Sequence, residues 1–183
     1  MEIERKWMVS GWPEDALKDV QLPFLFTELQ EQGYLHTNVP IVRIRREERR
    51  HADSGEDPAC SSVQHVLCIK SAGRLARQEV EMKIPENEFC ELRDMIGKPL
   101  IQKVRRVYQL PDGLSLEVNL VDKGLPSEFM YAEVEFESIE DAHAWDPASS
   151  GLGSYLDDDV TEKPGQSMSA YWMVTRELIH GLD

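Results

Sequence analysis

The sequence predicts an α+β fold: about eight antiparallel strands curled or closed into a small barrel, with a few flanking helices. Three observations predict it. Apolar and charged residues alternate with a period of two in segment after segment, turn formers separate those segments, and helical periodicity is confined to a few stretches.

In chain order, MEIERKWMV reads as a first strand, with Glu2, Glu4 and Lys6 on one face and Ile3 opposite, Arg5 being a charged exception beside it. Two carboxylates held this close repel unless a cation lies between them, so the run is a candidate divalent-metal site. Taken alone, it also fits the commoner case of a solvated strand face. Pro13 to Val20 suits a short helix. In Ile41 to Arg45, Val42 and Ile44 oppose Arg43 and Arg45, whereas residues 46–63 lack periodicity and read as a long, mobile hairpin loop. From Arg77 to Lys83 the charges Arg77, Glu79, Glu81 and Lys83 share one face and Val80 and Met82 the other. Pro85 to Ile96 is an amphipathic helix opening at its proline. Lys103 and Arg105 then alternate with Val104, and Pro111-Asp-Gly113 reads as a hairpin turn, which makes its flanking strands antiparallel. Glu117 and Asn119 alternate with Leu116, Val118 and Leu120, and Glu133, Glu135 and Glu137 with Ala132, Val134 and Phe136. Ile139 to Trp145 and residues 167–182 complete the set as helices, the last with Met168, Tyr171, Trp172, Thr175 and Leu178 spaced for burial.

At 183 residues, a single domain covering 1–183 is expected. No apolar run is long enough for a membrane span, the N-terminus does not resemble a signal peptide, and a cytoplasmic protein is expected. Cys60, Cys68 and Cys90 form no Cys-x-x-Cys pair, which suits reduced thiols, Cys68 on a strand and Cys90 on a helix. A formal charge of −14 disfavours nucleic acid and anionic membrane as partners. A polyanion could bind only where the few cations converge.

Which face of the sheet lies inside is left open by the pattern. Antiparallel sheets ordinarily bury the apolar face. Against that, the charged faces come in blocks, Glu-rich at both chain ends and Arg/Lys-rich between, and helices are available to cover the apolar faces. A charged lumen is costly to bury unless water, ions and a charged ligand fill it, so such a tunnel would be a binding site. Lys6, Arg43, Arg45, Lys70, Lys103 and Arg105 suit phosphate, since guanidinium forks match phosphate oxygens in pairs. Glu2, Glu4, Glu133 and Glu135 offer hard oxygen ligands for Mg2+ or Mn2+. Together they suit phosphoryl transfer, and no P-loop motif is present.

The stretches MEIERKWMV, QGYL (32–35), VRIR (42–45), LCIKS (67–71), RQEVEMKI (77–84), QKVRR (102–106), LPDGLSLEV (110–118), AEVEF (132–136) and DVT (159–161) together resemble the CYTH family of triphosphate tunnel metalloenzymes. The resemblance implies a closed eight-stranded antiparallel tunnel with its charges inside. It implies Glu2, Glu4, Glu133 and Glu135 as metal ligands, Glu79, Glu81 and Glu117 as further lumen acids, and Lys6, Arg43, Arg45, Lys103 and Arg105 as the triphosphate clamp. Tyr34 and Lys70 match a pair linked to hydrolysis, for which a lysine lowering the phenol's pKa is a physical account. Asn119 stands where the family has an aspartate. The segment after Thr161 departs from the family pattern, leaving Lys163 a loose candidate for the last phosphate contact.

The reaction expected is hydrolysis of inorganic triphosphate or a related linear triphosphate with Mg2+ or Mn2+, by a monomer or homodimer. The alternatives are class IV adenylate cyclase, thiamine triphosphatase and a non-catalytic polyphosphate-binding module. QGYL, in place of the Asp-x-Tyr-Phe-type stretch of cyclase-like members, favours the triphosphatase. The five histidines show no zinc spacing.

Overall fold

A computed structural model describes residues 1–17, 20–51 and 61–178. Its ten strand segments are β1 (Glu2–Val9), β2 (Phe24–His36), β3 (Ile41–His51), β4 (Ser61–Lys70), β5 (Ala76–Arg77), β6 (Glu79–Lys83), β7 (Ile101–Gln109), β8 (Ser115–Val121), β9 (Phe129–Glu135) and β10 (Asp158–Asp159). They pair in the order β10-β1-β9-β8-β7-β2-β3-β4-β6, antiparallel throughout, and β5 returns to β1. Only Gln78 separates β5 from β6, so the two act as one interrupted strand and the ring has the eight members the sequence predicts. The closing seam is short: Glu2 pairs with Arg77 and Ile3 with Ala76, and the Glu4 amide donates to the Leu75 carbonyl at 3.0 Å. Gly73 permits the turn that feeds this seam. Its φ is +143°, and a Cβ there would lie 1.9 Å from the Ala76 carbonyl oxygen.

The helices cover the apolar outer faces. Ile3, Trp7, Leu116, Val118, Ala132 and Val134, from β1, β8 and β9, pack with Ala142 of α3 (Ile139–Ala144) and with Leu152, Tyr155 and Leu156 behind it. Arg5, the charged exception on this face, is used there: its guanidinium donates to the Ala142 and Trp145 carbonyls, capping α3, and pairs with Asp159 at 2.7 Å. On the far side α2 (Glu86–Ile96) buries Phe89 beside His65 of β4. Gly97 ends this helix in the left-handed conformation, its amide donating to the Arg93 carbonyl.

Several elements differ from expectation. The helix expected from Pro13 to Val20 is a single turn, α1 (Pro13–Ala16), closed by Leu17 in extended conformation. Residues 46–51 and 61–63, expected to be loop, continue β3 and β4, while 52–60 lie outside the described residues. The C-terminal helix begins as α4 (Met168–Trp172) and continues as a π-helical turn (Met173–Glu177), in which the Leu178 amide donates to Met173. That wider turn shifts the helix phase, so Arg176 is buried and Leu178 exposed, against the spacing expected for burial. Residues 179–182 lie outside the described residues. Among the described residues no helix is long and apolar enough to cross a membrane.

Candidate functional site: a charged tunnel

The pleat turns the charged faces inward. A cavity of about 670 Å³ is lined by Glu2, Glu4 and Lys6 of β1, Arg43 and Arg45 of β3, Lys70 of β4, Glu79 and Glu81 of β6, Lys103 and Arg105 of β7, and Glu133 and Glu135 of β9. Tyr34, Arg77, Tyr131 and Lys163 complete the charged and aromatic part of the wall. At one end an apolar cluster of Tyr34, Ile101, Val121 and Tyr131 packs with Trp172 of α4. Gly33 allows this closeness: a Cβ there would sit 2.6 Å from Leu100 Cδ2 and 3.6 Å from the Trp172 ring.

The cations converge on the middle of the tunnel, and acids hold them. Arg43 lies 3.7 Å from Glu79 and 3.5 Å from Glu81; Arg45 is 3.0 Å from Glu81 and also pairs with Glu47. Arg105 is 2.7 Å from Glu117 and accepts orientation from Asn119, whose amide oxygen receives the Arg105 Nε–H at 3.0 Å. Asn119 thus positions a guanidinium, and like Glu117 it stands behind the cavity wall. Glu133 lies 3.9 Å from Lys6 and 3.8 Å from Arg105. Burial alone would raise the Glu133 carboxyl, but Lys6, Lys103 and Arg105 hold it below the ordinary carboxylate range. Burial lowers Lys103 well below the ordinary lysine range, with Arg105 adding to the effect.

The expected acidic group divides. Glu2, Glu4 and Glu135 bring carboxylate oxygens within 4.8 Å of one another, while Glu133 faces the cations. These oxygens suit a hard divalent cation. Burial first, then the charges of Glu133 and Glu2, raise the Glu4 carboxyl to about 7, as expected where negative charge exceeds its local compensation. Arg77 supplies most of the compensation, its Nε 2.6 Å from Glu2 and its Nη2 2.6 Å from Glu4, and Lys70 adds to it.

Tyr34 and Lys70 share the cavity wall, and each has other partners. Lys70 pairs with Glu2 at 3.2 Å and Glu79 at 2.6 Å. Burial pushes the Tyr34 hydroxyl up to about 12, and the opposing charges are those of Arg43 and Arg45. A hydroxyl so raised carries its proton at neutral pH, and both Tyr34 and Lys70 line the cavity. Lys163 is more than half exposed at the rim and pairs with Asp158 at 2.5 Å.

Sequence reasoning missed four kinds of residue in or behind the tunnel wall. Arg77 was visible as an inward position of its alternating strand and was passed over as a ligand partner. Glu28, Gln30 and Gln32 of β2 are buried; Gln30 donates to Glu28, and the Gln32 amide donates to the Tyr34 hydroxyl at 3.3 Å. Cys68 is buried on β4, its thiol donating to Glu79 at 2.9 Å. Tyr131 is the inward residue two before Glu133, hidden within an apolar run.

The sequence is 30% identical over 161 residues to the inorganic triphosphatase of Nitrosomonas europaea, a match spanning 88% of this chain and 89% of the relative. The crystal structure of the inorganic triphosphatase NE1496 is similar, with 26% identity, a TM-score of 0.54 and 93% of each chain covered. HpAC1 from Hippeastrum, described as having a dominant triphosphatase activity, has a TM-score of 0.53 at 20% identity over 85% of this chain and 88% of its own, a likeness of fold alone. No family model matches the chain. A relative this similar along nearly the full length, on a closed antiparallel tunnel lined by charge, places the chain in the CYTH family of triphosphate tunnel enzymes.

Proposed function

We propose that this chain is a divalent-metal-dependent triphosphatase that cleaves inorganic triphosphate, or a related linear triphosphate, into pyrophosphate or a diphosphate plus phosphate. The observation that carries the reading is the convergence of Lys6, Arg43, Arg45, Lys103 and Arg105 in one cavity whose neighbouring wall brings Glu2, Glu4 and Glu135 together. The named activity of the Nitrosomonas europaea relative supports it.

In this reading Arg43, Arg45 and Arg105 bind phosphoryl oxygens through their forks, and Lys6, Lys70 and Lys103 add point charges along the chain of phosphates. Water attacks the terminal phosphorus, and the bond to the bridging oxygen breaks. The clamp neutralises charge on the departing pyrophosphate, so catalysis is mainly positioning and electrostatics. Tyr34, held neutral, donates a hydrogen bond to a phosphoryl oxygen instead of accepting a proton. Glu2, Glu4 and Glu135 would hold Mg2+ or Mn2+, which supplies charge neutralisation to the triphosphate oxygens when bound. Lys163 serves only the rim.

The aromatic surfaces favour a triphosphate without a base. The Tyr131 ring carries Lys6 at 3.7 Å, and Tyr34 packs against Trp172 at 5.7 Å between centroids. Tyr131, with Lys6 over its ring and Phe129 stacked on it, has no free face for adenine to stack on. The buried thiol of Cys68 suits a reducing compartment such as the cytoplasm.

The test is to measure phosphate and cyclic nucleotide in parallel from inorganic triphosphate, ATP and thiamine triphosphate, with Mg2+, Mn2+ or a chelator. Metal-dependent phosphate release from inorganic triphosphate is the expected result. Cyclic AMP from ATP would replace this reading with the cyclase. Thermal stabilisation by triphosphate without turnover under either metal would leave a binding module.

A further inference from the structure

The inner face of β9 carries an aromatic residue between two lysines. Tyr131 is 1% exposed, and its neighbours across the sheet are Met8 and Asn119. Lys6 Nζ stands 3.7 Å from the centre of its ring, over the face. Lys103 Nζ stands 5.7 Å from that centre and donates to the Tyr131 hydroxyl at 3.2 Å. The Arg105, Arg45 and Arg43 guanidinium groups repel the Lys103 ammonium, as Arg77 and Lys70 repel that of Lys6, so each would swing aside unless something held it. Lys6 Nζ also donates to the Gln166 carbonyl at 2.9 Å, while Glu133 lies 3.9 Å away, so the ring shares the restraint of Lys6 with a backbone oxygen and a weakly paired acid. The ring is itself held, stacked on Phe129 at 5.8 Å, with Phe129 packed on Tyr171 at 5.0 Å.

We propose that Tyr131 is a positioning residue of the tunnel, holding Lys6 on its ring face and Lys103 on its hydroxyl oxygen so that both ammonium groups present a fixed pair of charges to a linear triphosphate. This rests on the triphosphatase reading for its substrate, though not for the lysine geometry. An aromatic ring attracts a cation through its negative face, and a phenolic oxygen accepts a hydrogen bond while keeping its own proton to donate. One side chain can therefore restrain two cations by two different interactions, and the two can be removed separately. Tyr131→Phe keeps the ring and loses the oxygen. Tyr131→Leu loses both.

The experiment has two readouts. Steady-state kinetics on inorganic triphosphate with Mg2+ would compare wild type, Tyr131→Phe, Lys103→Met and the double variant. Loss of the oxygen removes a restraint used in binding, so Tyr131→Phe is expected to raise KM about tenfold with kcat changed less than about threefold. In the Lys103→Met background the same change should have no further effect on KM. Fully additive effects would overturn the proposal. The second readout is the lysine ε-methylene NMR spectrum of the metal-free protein. Lys6 protons over the ring should resonate upfield in wild type and Tyr131→Phe and return toward the ordinary position in Tyr131→Leu. A Lys6 signal at its ordinary position in wild type would also overturn the proposal, whatever the kinetics. If wild type releases no phosphate from triphosphate, the triphosphatase reading falls, and the Lys6 shift still decides the positioning role. Tyr131→Phe conserves volume, so a failure of Tyr131→Leu to fold leaves the oxygen test intact.

Discussion

Arg77 spans Glu2 and Glu4, with Nε 2.6 Å from one carboxylate and Nη2 2.6 Å from the other. It also lies on the short β5–β1 seam that closes the barrel. The same side chain therefore joins the wall and neutralises the acids that suit a metal. Removing one partner from a mostly buried ion pair leaves charge uncompensated, at a cost of about 3 kcal/mol. In chelator, Arg77→Ala should melt several degrees below wild type, and Mg2+ should narrow the gap because a cation replaces the guanidinium. Equal melting temperatures in chelator would show that Arg77 holds neither the seam nor the acids.

Glu4→Gln should abolish metal-dependent turnover while keeping the fold, because it removes a ligand charge without changing volume. Its pH behaviour is a separate check. Burial and the Glu133 and Glu2 charges raise Glu4 to about 7 from an ordinary value of 4.5. A carboxyl whose folded value is raised contributes stability that is complete below the unfolded value and is lost as pH rises through the folded one. Metal-free wild type should therefore lose stability between about pH 4.5 and 7, on the order of 3 kcal/mol, and Glu4→Gln should lose less. Melting curves across that range in chelator measure the difference. Parallel curves for the two proteins would remove Glu4 as the titrating group.

Cys68 should be unreactive in the folded protein. Burial raises its thiol to about 11; Arg43 opposes the shift, and the hydrogen bond to Glu79 adds to it. The reactive thiolate is then scarce at pH 8. Alkylation followed by peptide mapping should find Cys68 unmodified in native protein and modified in guanidinium chloride. Rapid native labelling at this position would mean that the lumen is far more open than its burial implies.

What could be read from the sequence depended on contrast between the two faces of a strand. Where charge opposed apolar residues, as along Glu2 to Lys6 or Leu116 to Leu120, the strand and its two faces were legible, while the pattern alone left open which face lined the lumen. Where both faces are charged, the period vanished. In β3 the run from Arg46 to Arg50 has Arg46 and Arg50 paired with Glu48, at 3.0 and 2.6 Å, while Glu47 pairs with Arg45 and Arg49 with Glu28. Ion pairs on each face replace hydrophobic contrast, so a continuous strand resembled loop. The division of Glu133 from the other acids was not legible either, because alternation assigns a face and not a neighbour. Glu133 of β9 pairs with Glu117 of β8 on one side and Lys6 of β1 on the other, and Arg105 reaches it from β7 across the intervening β8.

Asp122 anchors the C-terminal segment that closes one end of the tunnel. It follows β8 with a φ of +49° and is 2% exposed. One carboxylate oxygen accepts the Gln102 amide at 3.1 Å; the other accepts Arg176 and the Tyr171 hydroxyl, each at 2.6 Å. Arg176 also donates to the Pro99 carbonyl at 3.1 Å. Arg176→Met keeps much of the stem packing but leaves the buried Asp122 charge without its cation, which should cost about 3 kcal/mol or more. Asp122→Asn removes that charge, and asparagine tolerates the left-handed backbone at this position. The double variant should therefore be more stable than Arg176→Met alone, with a coupling of about 1–3 kcal/mol. Because the same segment seats Trp172 against Tyr34, Arg176→Met should also raise KM for triphosphate more than it lowers kcat. Denaturant melts of the four proteins, with KM measured on each, test both statements. Additive destabilisation would show that Asp122 and Arg176 act independently, and an unchanged KM would separate the anchor from the tunnel.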